Sequence, residues 1–179
     1  MPYGTYERDA ELAYKNAKKI ISETGADAVK LEGGEKFFDI ITFLIKKKIN
    51  VMGHIGLLPQ KHDGKYPIYG RKKNEEKKIL DDLGSLEQAG VFSIVIECTV
   101  ESIVKKLMKK SNTPIIGIGA TSDCDGQVLV AEDLLGLTDF NAKFLKKYSN
   151  LDVIISRAFE KFSSDVVKRK YPQKKNYYK

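Results

Sequence analysis

The sequence predicts an α/β fold built on a parallel sheet, and two observations carry that prediction. Short β-rich apolar runs alternate with segments of helical periodicity along the chain, the pattern of βαβ units, whose strands pair in parallel. The titratable residues on those strands also gather at their C-terminal ends. That is the edge on which both barrels and open α/β sheets build sites.

The elements follow in order. Residues 9–22 read as a helix, with Leu12, Ala13, Ala17, Ile20 and Ile21 on one stripe, Asp9 as N-cap and Gly25 as stop. Residues 26–32 read as a short strand ending at Gly33-Gly34. Phe37, Phe38, Ile41, Leu44 and Ile45 mark a helix over 36–48, and 50–56 is the next strand. Residues 57–73 hold Pro59, Gly64, Pro67 and Gly70 and read as a long loop, longer than most connections inside a compact domain. A helix over 75–89, a strand over 92–97, a helix over 101–110 and a strand over 113–120 follow, with a further strand at 127–131. After Thr138 the pattern is helical, with Val153, Ile154, Ala158, Phe159, Phe162 and Val166 as its apolar stripe. This spacing fits both a doubly wound sheet and part of a (β/α)8 barrel.

Composition narrows the class. The chain is 42% hydrophobic and 31% charged, enough apolar residue for a core and too much for a disordered chain. Its net charge of +7 is uneven, because the residues from Val166 onward include Lys and Arg but no Asp or Glu. The organisation expected is one domain over 1–165 and a basic tail over 166–179. A near-neutral body argues against nucleic acid as the partner and leaves only the tail to touch RNA. The two cysteines, Cys98 and Cys124, cannot form a disulfide framework in a chain of this length. With no membrane-length apolar run and no signal-peptide pattern, the expectation is a reduced, cytoplasmic protein with no membrane partner.

Four residues stand out for chemistry. Lys30 and Glu32 lie two apart, so on a strand they share a face. They make either an ion pair or a cation for an anionic substrate beside a carboxylate near a metal. His54 ends the second strand between glycines and is either a structural hydrogen-bonder or a catalyst. Glu97 ends an otherwise apolar strand, where it is either a rim carboxylate in a salt bridge or a general base tuned by desolvation. Cys98 reads as a small core residue. Gly117-Ile118-Gly119 resembles a phosphate loop only weakly. Asp123, Asp125 and Asp133 could suggest a metal, but Asp125-Gly126 is also an ordinary turn, and the turn is the favoured reading.

Several runs, taken in order, are similar to one family. They are Gly25-Ala26-Asp27-Ala28-Val29-Lys30-Leu31-Glu32-Gly33-Gly34, Gly53-His54-Ile55-Gly56-Leu57, Pro59-Gln60, Gly70-Arg71, Glu97-Cys98, Gly117-Ile118-Gly119-Ala120 and Cys124-Asp125-Gly126-Gln127-Val128-Leu129-Val130. They resemble ketopantoate hydroxymethyltransferase, and the resemblance runs from Met1 to about Leu137. It implies a (β/α)8 TIM barrel of the phosphoenolpyruvate/pyruvate type. It also implies hydroxymethyl transfer from 5,10-methylenetetrahydrofolate to 3-methyl-2-oxobutanoate, giving 2-dehydropantoate in pantothenate synthesis, with Mg2+ as cofactor. Lys30 would hold the keto-acid carboxylate, and Glu32 would lie in or beside the metal shell. His54 would orient the keto acid, and Glu97 would remove the C3 proton.

The sequence departs from the family pattern at Thr121, where glycine is usual, at Leu58, where threonine is usual, and at Glu132, where histidine is usual. The resemblance also places the start of the chain just past an Asp-Leu-Pro-Phe segment. The barrel expected is therefore incomplete, with about five strands, the family's fourth to eighth, and without the two aspartates that ligate Mg2+. The implied activity is impaired transfer; the alternative is a catalytically inactive remnant or a non-catalytic interaction module. The partners implied are the keto acid and the folate, a homo-oligomer, and a separate N-terminal barrel piece.

Overall fold

The computed structural model describes residues 1–62 and 66–178. Residues 63–65 of the expected long loop and Lys179 of the expected tail lie outside the described residues. The chain forms two compact units, Met1–Val128 and Leu129–Lys179.

The first unit carries a parallel sheet of five strands: β1 (Val29–Lys30), β2 (Val51–Gly56), β3 (Ser93–Glu97), β4 (Ile115–Ile118) and β5 (Gly126–Gln127). The strands join in chain order, each beside its predecessor. A doubly wound sheet reverses its order at a switch point, whereas a barrel-type sheet adds strands in one direction. The order therefore favours the barrel type of the two arrangements that the spacing allowed.

Four helices connect or flank the strands: α1 (Ala10–Thr24), α2 (Phe38–Lys46), α3 (Lys73–Ala89) and α4 (Glu101–Met108). The ends of α1 are those the sequence predicts. Asp9 Oδ1 accepts the Leu12 N–H at 2.7 Å, and Gly25 adopts the left-handed conformation with its N–H on the Ile21 carbonyl.

Strand register sorts the side chains. Val29 and Leu31, Val51 and Ile55, Ile94 and Ile96, and Ile115 lie on the face that packs against the helices, and all are buried. Leu86 of α3 sits against Gly53 so closely that a Cβ there would lie 2.5 Å from Leu86 Cδ1. Each fully buried leucine or isoleucine of this layer contributes roughly 1.5–3 kcal/mol by leaving water. The opposite face carries Lys30, Met52, His54, Val95, Glu97, Ile116 and Ile118. β3 is buried on both faces, as a central parallel strand is.

The second unit holds α5 (Ala131–Leu135) and α6 (Leu151–Val167). Here the sequence reading needs correction. Residues 138–150 are not helical; their Asp139, Asn141, Ser149 and Asn150 favour local turns over helix. Within α6 none of the stripe residues is buried, and Phe159 is 70% exposed. The strand expected over 127–131 is only Gly126–Gln127, because α5 begins at Ala131.

Candidate functional site

The site lies on the non-helical face of the sheet, at the C-terminal ends of β1, β2 and β3. His54 and Val95 are register partners in β2 and β3, and Gly56 and Glu97 are the next pair on that face. Lys30 is paired with Met52. Beyond Lys30 the chain still follows β2: Leu31 N–H donates to the Met52 carbonyl and Gly33 N–H to the His54 carbonyl. That continuation keeps Glu32 on the face of Lys30.

All four residues singled out in the sequence meet there. Lys30 Nζ is 2.9 Å from His54 Nδ1 and 4.0 Å from Glu32 Oε1. His54 Nε2 is 3.2 Å from Glu97 Oε2. Glu32, His54 and Glu97 are buried, while the Lys30 side chain is 42% exposed. Burial holds the Lys30 ammonium below its ordinary pKa, against the pull of the Glu32 and Glu97 carboxylates.

An ammonium has only donors, so Lys30 donates to Nδ1 and assigns the ring proton of a neutral His54 to Nε2. That N–H lies within reach of the Glu97 carboxylate but is not aimed at it, and it makes no hydrogen bond in the described structure. A buried N–H without an acceptor carries a desolvation cost of about 1–3 kcal/mol.

The backbone around Glu97 is held tightly. The Glu97 carbonyl accepts the Leu57 N–H at 2.9 Å and the Thr99 hydroxyl at 3.1 Å. The next residue, Cys98, has φ of 46°, rare for a residue with a side chain, and burial pushes its thiol up to about 11. Cys98 is buried, as the sequence predicts for a core residue.

The sequence gives no sign of the residues that support Glu32. Gln60 N–H donates to Glu32 Oε2 at 3.0 Å, and the Tyr6 hydroxyl bonds the Glu32 peptide. Pro59-Gln60 stood out as a motif without a role. Tyr6, 26 residues before Glu32, carried no signal at all. Asp82 was also missed. Its buried carboxylate accepts the Glu35 N–H and pairs with Lys78, fixing the turn after Gly34.

For a divalent cation the described residues offer little. No group of three or more His, Cys, Asp or Glu side chains among them could hold a metal ion. Asp125 is engaged elsewhere, accepting the Ile115 N–H at 2.8 Å, and Asp123 pairs with Lys105. Glu32 Oε1 makes no hydrogen bond among the described residues and is a hard oxygen donor 4.0 Å from Lys30 Nζ. Mg2+ is commonly held by one or two carboxylates, with water and substrate completing its shell. The residues present therefore fit Mg2+ as a single-carboxylate contribution and not as a cage.

Comparison with known proteins agrees with the motif reading. Residues 1–174 match the family described as ketopantoate hydroxymethyltransferase. A protein of Pelagibacter ubique named 3-methyl-2-oxobutanoate hydroxymethyltransferase is 51% identical over 178 residues, which cover 99% of this chain and 68% of that protein. Proteins of the same name from Sulfurisphaera tokodaii and Rhizobium etli are 47% and 45% identical, over 99% and 96% of this chain and 67% and 64% of their own lengths. The chain thus spans about two thirds of the length of these curated relatives. With the match running almost end to end, the chain belongs to the ketopantoate hydroxymethyltransferase family.

Proposed function

We propose that this chain acts in hydroxymethyl transfer from 5,10-methylenetetrahydrofolate to 3-methyl-2-oxobutanoate. The products are 2-dehydropantoate and tetrahydrofolate, and one water is consumed. The observation that carries this reading is the gathering of Glu32, Lys30, His54 and Glu97 on one sheet face.

The chemistry asks for those groups. The substrate is an anion, and Lys30 is a partly exposed cation at the mouth of the site. The reaction begins with removal of a proton from C3, next to the ketone, and the acceptor is a Glu97 oxygen. A carboxylate held within reach of that proton can take it as a general base. As the C3–H bond breaks, its electron pair passes toward the ketone oxygen. The unpartnered Nε2–H of His54 can donate to that oxygen and orient the keto acid. The C3 carbon then bonds to the one-carbon unit of the folate, and both C–N bonds to that unit break. The consumed water supplies its hydroxyl, and the water's other proton and the proton taken from C3 end on the two folate nitrogens. Mg2+, when bound, would polarise the ketone, with Glu32 in or beside its shell.

The test is exchange of the C3 proton of 3-methyl-2-oxobutanoate for deuterium, followed by NMR in D2O with Mg2+ and without folate. The expected result is Mg2+-dependent exchange that Glu97→Gln reduces at least about a hundredfold, the usual scale of a positioned base. A folded chain that gives no exchange above the buffer rate would instead support an inactive remnant or an interaction module.

A further inference from the structure

The edge of the sheet beyond β1 raises a question that the catalytic set does not answer. Leu31 and Gly33 turn their N–H groups toward β2. In an extended chain the intervening residue turns its own N–H and carbonyl the other way. For Glu32 those two groups face no strand among the described residues, yet the residue is only 4% exposed. Left unpaired, each would carry a desolvation cost of about 1–3 kcal/mol.

One side chain meets both. The Tyr6 hydroxyl accepts the Glu32 N–H at 3.2 Å and donates to the Glu32 carbonyl at 3.2 Å. A single phenol oxygen therefore does what a residue of a neighbouring strand would do. The Gln60 side-chain oxygen, at 3.4 Å, is the weaker alternative acceptor for the same proton. Tyr6 is itself held firmly: it is 1% exposed, and its ring meets that of Phe37 edge to face with centroids 5.5 Å apart. On the other side of Glu32, the Gln60 N–H fixes the carboxylate. Backbone and side chain of one residue are thus clamped from two directions.

We propose that Tyr6 is a positioning residue for the site. Its hydroxyl sets the backbone of Glu32 so that the carboxylate is aimed at Lys30 and at whatever binds beside it. A tyrosine placed only to fill the core would serve equally well as phenylalanine, because the ring supplies the packing. The proposal assigns the function to the oxygen. It rests on the reading of Glu32 as part of the site, and its test is chosen so that the two can fail separately.

The experiment compares the full chain with its Tyr6→Phe and Glu32→Gln variants by NMR. The Gln60 amide proton, which donates to the Glu32 carboxylate, is the reporter. In folded Tyr6→Phe it is expected to move toward its Glu32→Gln position and to exchange with solvent about tenfold faster, the scale of one lost hydrogen bond. Titration with 3-methyl-2-oxobutanoate and Mg2+ is expected to show binding weakened by a similar factor. An unchanged Gln60 amide in a folded variant overturns the proposal, whatever happens to stability. If the wild-type chain binds no keto acid, the functional reading fails and the Gln60 amide still decides on Tyr6. Should Tyr6→Phe not fold, the wild-type chain decides. A slowly exchanging Tyr6 hydroxyl proton with a nuclear Overhauser effect to the Glu32 amide supports the clamp, and its absence overturns it.

Discussion

Gly56 and Glu97 are register partners in β2 and β3, and a Cβ on Gly56 would collide with the Glu97 carbonyl oxygen. The same Cβ would lie 2.6 Å from Thr99 Oγ1, the hydroxyl that donates to that carbonyl. Gly56 also has φ of 84°, a conformation that costs an alanine about 1–2 kcal/mol. Adding the usual overpacking cost of about 1–3 kcal/mol, Gly56→Ala is expected to destabilise the chain by about 2–5 kcal/mol. Urea unfolding measures this. A loss below about 1 kcal/mol would show that β2 and β3 can separate here, and that Glu97 is held less firmly than the contacts indicate.

His54 lies between a cation and a carboxylate, and removing it should affect both. In His54→Ala, Lys30 loses its acceptor at Nδ1 and Glu97 loses the neighbouring imidazole. The buried cavity adds to these losses, so destabilisation of about 2–4 kcal/mol is expected. Asparagine at the same position keeps a polar group and should recover part of the stability. Neither variant should support C3 proton exchange at more than about a hundredth of the wild-type rate if the imidazole orients the keto acid. A His54→Asn chain that exchanges at full rate would reduce His54 to a structural hydrogen-bonder.

The residues that the sequence marked were those whose type is odd for their place. A lysine, a histidine and glutamates at the ends of apolar strands are visible without coordinates, because parity and strand ends follow from periodicity alone. The supporting groups had no such mark. Tyr6 reads as one more aromatic near an end of the chain, and its hydroxyl reaches Glu32 only through the path of the chain around α1. Gln60 acts through its backbone N–H, which every residue except proline possesses. The reading failed most in the second unit. Its apolar stripe over α6 follows the helical period, but period says only which residues share a face, not whether that face is covered.

Cys98 follows Glu97 and should be inert. Burial first, then the Glu97 carboxylate, pushes its thiol up to about 11. Burial likewise raises Cys124, ahead of any charge effect. The thiolate is the reacting species, so at pH 8 Cys98 should react at least about 200-fold more slowly than a free cysteine. Titration with Ellman's reagent should find two slow thiols in the folded chain and two fast ones in urea. A fast stoichiometric reaction of the native chain would mean that the segment around Cys98 opens readily, with Glu97 opening beside it.

The phenol that clamps Glu32 also gives the fold a pH dependence that can be measured without any substrate. Burial above all pushes Tyr6 up to about 12 from an ordinary value of 10.0, and the nearby Glu7 and Glu32 carboxylates act in the same direction. The unfolded chain therefore loses this proton first. Between the two values it holds fewer protons than the folded chain, so stability falls as pH rises. The contribution is fully present below about pH 10 and is lost progressively toward pH 12, with an upper bound of about 2–3 kcal/mol for a shift of this size. Tyr6→Phe lacks the group and should lack this part of the decline. Urea unfolding of both chains at pH 7, 9.5 and 11 is expected to show wild type ahead at pH 7 and the gap closing by pH 11. Absorbance near 295 nm should reveal one late-titrating phenol in the wild type that is missing from the variant. Parallel curves across the whole range would mean that the Tyr6 hydroxyl is open to water, and its bonds to Glu32 would then count for little.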